Sequence, residues 1–203
     1  MEIVFSICLG IGLSAACGFR VFVPPLVMSI ASLSGHLHLV HGFEWIGSYP
    51  ALIAFSVATC LEIGGYYIPW LDHFLDTIAS PAAVVAGTVV AASVVADMSP
   101  LMRWSLAVIA GGGAAGLVQA ATVTTRGASL VTTGGLGNPI VATLELAGSV
   151  LTALLAIIVP YLVVALLVIF IFVFGPRVYR RARRMLGTSG NLHPAAAAGK
   201  PLS

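Results

Sequence analysis

Six apolar stretches fill most of this chain: Ile3 to Leu33, Ala51 to Ile68, Ala82 to Ala96, Trp104 to Val123, Ile140 to Val159 and Tyr161 to Gly175. A hydrocarbon layer about 30 Å thick takes roughly 20 helical residues to cross, fewer where a span is short or re-entrant. Lipid offers the backbone no hydrogen bonds, so runs of this length read as helices that satisfy their own. The expected fold is therefore all-α, a polytopic helical membrane bundle of about six to seven short or broken helices. Composition agrees: 59% of residues are hydrophobic, 8% are charged and mean hydropathy is +1.07, outside the range of a water-soluble globule. Residues 1–176 are read as the helical transmembrane domain, and residues 177–203 as a basic, then disordered, tail.

Charge divides the chain at the same point. Up to Pro176 there are seven acids and three arginines, Arg20, Arg103 and Arg126. From Arg177 onward there are five arginines within eight residues, then Lys200, and no acid. The net charge of +2 is thus a difference between unlike parts and points to no nucleic acid. Cations beside a span are retained in the cytoplasm, which predicts a multi-pass protein of the bacterial plasma (inner) membrane with its C-terminus cytoplasmic. Anionic lipid headgroups are the expected partners of the basic tail. The N-terminus has Glu2 and no basic segment, so no removable signal peptide is expected. Cys8, Cys17 and Cys60 are odd in number and lie in apolar runs, where they read as packing residues.

The breaks are as informative as the runs. Ile3 to Leu33 would be about 46 Å long as one helix, and it is interrupted by Gly18-Phe19-Arg20 and by Pro24-Pro25, which lack two backbone donors. A broken helix or helical hairpin is expected there. Ile140 to Gly175 has Pro160 as its one interruption, and two short spans or one long kinked helix both fit. Ala83, Gly87 and Ala91 share a helix face and allow close backbone approach, as do Gly111-Gly112-Gly113-Ala114-Ala115-Gly116. The connections Ser34 to Tyr49, with His36, His38, His41 and Glu44, and Thr124 to Pro139, with Arg126, read as polar. The histidines have no closing ligand pattern, so no metal is assigned.

Ionisable residues inside apolar runs are costly and usually face one another or a water-filled cavity. Arg20, Glu62 and Glu145 are the clearest cases. Ala58-Thr59-Cys60-Leu61-Glu62 resembles Ala142-Thr143-Leu144-Glu145, and each is preceded by an arginine in a small-residue setting, Arg20 and Arg126. One Arg and one Glu from each of two segments, 3–97 and 104–175, is the pattern of a duplicated unit. Pro69 suits the first turn of a helix, which puts Asp72 and Asp76 on one face as a cation or proton site, or else as the wet face of an interfacial helix. Pro24, Pro69, Asn138 and Pro139 are expected to shape these elements. No catalytic signature is present and no cofactor is assigned.

At Leu13-Ser14-Ala15-Ala16-Cys17-Gly18-Phe19-Arg20-Val21-Phe22-Val23-Pro24, at Leu61-Glu62 with Ile68-Pro69-Trp70-Leu71-Asp72 and Asp76, and at Ala110-Gly111-Gly112-Gly113 with Thr125-Arg126 and Asn138-Pro139, the chain resembles an uncharacterised bacterial membrane family, domain of unknown function 4126. The resemblance spans about Gly10 to Pro160. It implies a compact helical membrane domain and no established activity. Gly64-Gly65-Tyr66-Tyr67 departs from it, where members carry a charged Ala-Asp-Lys-like stretch.

The function expected is that of a small channel or secondary transporter, oligomeric, moving an ion or small solute past Arg20, Glu62, Arg126 and Glu145. The alternative is a non-transporting scaffold or accessory subunit whose buried charges fix helix register. A lipid-modifying enzyme using Asp72 and Asp76 ranks third.

Overall fold

The computed structural model describes residues 2–173, the side chains of residues 69–74 excepted. The tail expected from Arg177 onward lies outside the described residues. The fold is helical, with no strand among the described residues. The α-helices are α1 (Glu2–Cys17), α2 (Val23–Leu33), α3 (Tyr49–Tyr66), α4 (Pro69–Val94), α5 (Pro100–Leu106), α6 (Gly113–Thr133), α7 (Asn138–Ile158) and α8 (Pro160–Val173). A π-helical segment, Ala107–Gly112, joins α5 to α6 without a break, so residues 100–133 form one rod. Leu75–Val94, Pro100–Thr133 and Asn138–Ile158 are long and apolar enough to cross a membrane.

Prolines mark where the helices begin. Apart from α6, each helix after α1 carries proline within its first three positions: Pro24 and Pro25, Pro50, Pro69, Pro100, Pro139 and Pro160. The first turn needs no N–H partner there, so proline starts a helix at little cost. Ser48 and Ser99 cap α3 and α5 by accepting from the N–H groups of Ala51 and Met102.

Contacts fix the directions of the helices. The start of α1 meets His36 and His38 just past α2, the end of α4 and the α7–α8 junction around a cleft of ≈ 530 Å³. The hairpin of α1 and α2 therefore starts and ends on one side of the bundle and turns at residues 18–22. Ser149 on α7 donates to the Ala16 carbonyl, and Ala156 faces Gly12, so α7 runs antiparallel to α1. On α8, Val163 also faces Gly12, while Leu167 packs with Ala15. Residues 140–173 are thus two helices reversed at Val159-Pro160, the first of the two readings left open by the sequence.

The centre is built from small residues. The most extensive contact is α1 with α4, and Ala83 and Ala91 are buried. A Cβ on Gly87 would stand 2.6 Å from the Ala115 Cβ, and one on Gly111 2.6 Å from the Ala91 Cβ. Such proximity lets backbones touch, and van der Waals contact is what holds helices together in lipid. Ser14, fully buried, donates to the carbonyls of Gly10 and Gly87 at 2.7 and 2.6 Å.

Three sequence readings are corrected. The segment from Pro69 to Asp76 is not separate from the small-residue span, because α4 runs continuously from Pro69 through Pro81 to Val94. Thr124 to Pro139 is not a connection throughout. Helix α6 continues to Thr133, leaving a turn at residues 134–137. The hydroxyls of Thr124, Thr125, Thr132 and Thr133 each donate to the carbonyl four residues back, which satisfies them within the helix. The loop after α2 is docked rather than simply solvated: Leu37 and Ile46 are buried, and the Val40 N–H donates to the Ser93 carbonyl at 2.8 Å.

Candidate functional site

The site begins where α1 stops. Gly18 follows Cys17, and any side chain there would collide with the Ala115 carbonyl, so the chain turns against α6 only because position 18 lacks one. Five residues later α2 starts, and Pro24 and Pro25 remove two of the N–H groups that a helix N-terminus leaves unpaired. The N–H groups just before it are taken by Glu62 of α3. Its Oε1 accepts from Val21 at 2.8 Å and its Oε2 from Phe22 at 3.1 Å. Glu62 thus closes the break in the backbone from an adjacent helix.

Within that break stands Arg20, 1% exposed. Its Nη2 donates to the Ala142 carbonyl of α7 at 2.9 Å and lies 3.9 Å from Glu145 Oε2. Its guanidinium lies 4.0 Å from the centroid of the Tyr66 ring. The guanidinium of Arg126 from α6 stands 3.9 Å from the same centroid. Tyr66 therefore attracts both cations through its π-electrons. Arg126 binds Glu145 through two nitrogens, Nε to Oε1 at 3.0 Å and Nη2 to Oε2, and Asp76 through Nη1, at 2.9 Å. The two-nitrogen grip is the geometry that makes a guanidinium–carboxylate pair strong.

All four residues singled out as a set by the sequence, Arg20, Glu62, Arg126 and Glu145, are brought to one place. Asp76, assigned to a separate site, joins them. Its side chain is 12% exposed, too enclosed for the wet face of an interfacial helix. The side chain of Asp72 lies outside the described residues. Asp76 is seven residues from the start of α4, Glu145 seven from the start of α7, and Arg126 seven from the end of α6. The cluster is thus set about 10 Å inside those three helix ends, on the side opposite the cleft near Glu2. Pro24 and Pro69 stand in the first turns of α2 and α4, and Asn138 and Pro139 open α7. When every group is ionised, three carboxylates face two guanidiniums.

Two participants were not anticipated, the Tyr66 ring and the Ala142 carbonyl. Tyr66 follows Glu62 by one helical turn and so shares its face, a signal available in the sequence. It belongs to the segment that departs from the family pattern. The duplicated-unit reading puts Glu62 and Glu145 in equivalent places, and their partners differ, backbone N–H groups for one and an arginine for the other.

Elsewhere, His36 Nδ1 lies 3.1 Å from the Ser34 hydroxyl, and among the described residues no three His, Cys, Asp or Glu side chains group to hold a metal ion. The Glu44 carboxylate is kept below its usual range by its own N–H and by that of Gly42. The cysteines are free.

Fold and site together define a polytopic helical membrane bundle with an ionised cluster buried among its spans. The chain belongs to the family described as Domain of unknown function (DUF4126), which matches residues 7–180. No curated protein and no solved structure matches it.

Proposed function

We propose that the protein is a small channel or secondary transporter that carries an ion or small solute past Arg20, Glu62, Arg126 and Glu145. One observation carries the reading: ionisable groups from five chain segments converge inside an apolar bundle, at the level where the backbone between α1 and α2 is interrupted. Charged residues placed at such cost usually mark a pathway, and transport sites are commonly built at broken helices between repeats. Segments 3–97 and 104–175, each giving one arginine and one glutamate, serve as those repeats. The basic cluster after Gly175 sets the C-terminus, and with it the cluster end of α8, toward the cytoplasm of the bacterial inner membrane. The working unit contains several copies of the chain.

The second reading is a non-transporting scaffold or accessory subunit, favoured by the way Arg126, Glu145 and Asp76 answer one another. Flux of a panel of ions and solutes into reconstituted proteoliposomes separates the two. Wild-type protein is expected to pass at least one of them. The Arg126→Lys swap, which keeps a cation between Glu145 and Asp76, is expected to yield folded protein that has lost most of that flux, because a compact ammonium gives up the planar two-nitrogen grip and changes the field along the path. No flux from any member of the panel, or full flux through the swap, returns the cluster to a structural role.

A further inference from the structure

A guanidinium offers five N–H donors and no acceptor. Arg126 directs its three nitrogens at Glu145 and Asp76. Arg20 donates from Nη2 to Ala142, while its Nε and Nη1, fully buried, meet no acceptor. The opposing oxygens are engaged already, those of Glu62 by two backbone N–H groups and those of Glu145 by Arg126. Each of these carboxylate oxygens thus has a partner, and the two Arg20 nitrogens have none. That sets the sign of a ligand: an anion supplies the acceptor that the buried donors lack, and leaving such donors unmet is costly.

We infer that Arg20 is the recognition group for a small anion, of halide, nitrate or carboxylate type, bound beside Tyr66 together with one proton. The ligand is small because Arg20 is already enclosed by the Tyr66 face, the Ala142 carbonyl and Glu145. The proton follows from charge. Among the described side chains, the titratable groups around Arg20 and Glu62 are Cys17 at the end of α1, Tyr66 on α3, Asp76 on α4, Arg126 on α6 and Glu145 on α7. With the three carboxylates and two guanidiniums of the described side chains ionised, that set carries one negative charge, and an added anion would double it where water is excluded. Protonation of one carboxylate removes the excess. Glu62 is the one that takes the proton. Glu145 and Asp76 are ion-paired to Arg126, whereas no guanidinium of the described residues lies within 4.0 Å of Glu62. Its protonated form still accepts one backbone N–H through its carbonyl oxygen.

This deepens the transport reading and rests on it for the movement of the anion, so binding and flux are measured separately. Potassium chloride, nitrate and formate are titrated calorimetrically into the full chain in detergent, from about pH 8 down to about pH 5. At least one anion is expected to bind, its affinity rising about tenfold for each pH unit lowered, since one proton enters with it. Arg20→Gln should abolish binding. Arg20→Lys, which keeps the charge and protects the fold, should weaken it at least about tenfold, as expected where a compact ammonium replaces a planar donor. Glu62→Gln, fixed in the neutral form, should bind at high pH as the wild type does at low pH, with the pH slope gone. No binding of any of the three at any pH, or wild-type binding in both Arg20 variants, overturns the inference. A wild-type pH slope in Glu62→Gln overturns its proton. Binding without flux upholds the site and ends the transport reading, while flux of a cation or neutral solute without anion binding does the opposite.

Discussion

The contact among α1, α4 and the π segment, and the cluster around Tyr66, both bury polar groups in an apolar bundle, and they do so differently. In the first, everything polar is neutral and answered nearby: the Ser14 hydroxyl reaches carbonyls of its own helix and of α4, and Gly87, Gly111 and Ala91 bring the backbones together. In the second, the groups are ionised and come from five segments, so each depends on parts of the chain far away in sequence. The first region is sensitive to volume and the second to charge. A methyl group is too large at Gly87, and the loss of one polar side chain, modest in its effect at Ser14, leaves another charge stranded in the cluster.

Glu145→Ala tests this contrast most severely. It takes the two-nitrogen partner from Arg126 and the nearest carboxylate from Arg20, and leaving buried charge uncompensated typically costs about 3–5 kcal/mol. Thermal unfolding in detergent should show a loss of that order, and a change below about 1 kcal/mol, the range of exposed pairs, would mean the cluster is hydrated. Gly87→Val comes next, with an expected loss of about 1–3 kcal/mol from overpacking. The same assay checks it, and an unchanged midpoint would show that α4 can move away from α6 freely. The smallest effect is expected of Ser14→Ala, about 0.5–1.5 kcal/mol for a hydrogen bond whose acceptors keep their helical partners. A loss as large as that of Glu145→Ala would erase the distinction between the regions.

What could be read from sequence follows the same division. Arg20, Glu62 and Glu145 stood out because a charge in an apolar run has few places to go, and Arg126 through the repeated order of arginine and glutamate. The small-residue face of α4 was legible because Ala83, Gly87 and Ala91 recur at helical spacing. Tyr66 was legible only as a neighbour of Glu62 on one helix face, since an aromatic ring in an apolar run looks the same whether it faces lipid or a guanidinium. Asp76 was visible, but its partner was not, because nothing in the spacing of Asp72 and Asp76 points to Arg126, 50 residues further on. The end of α6 was lost to composition: threonine and glycine read as a loop until each hydroxyl is allowed to return to its own helix.

The π segment at Ala107–Gly112 acts as a phase adjuster for the long rod that contains it. Each residue of an α-helix turns the face by about 100°, and a widened turn takes up an extra residue without passing that rotation on to the helix beyond. Arg126 lies fourteen residues past the end of that segment, and its bearing on Tyr66 is set there. Were the same residues wound as an even helix, Arg126 would swing off the ring by roughly a quarter turn. A neutral, apolar stretch about 21 Å away along the rod thus decides which way the charge points.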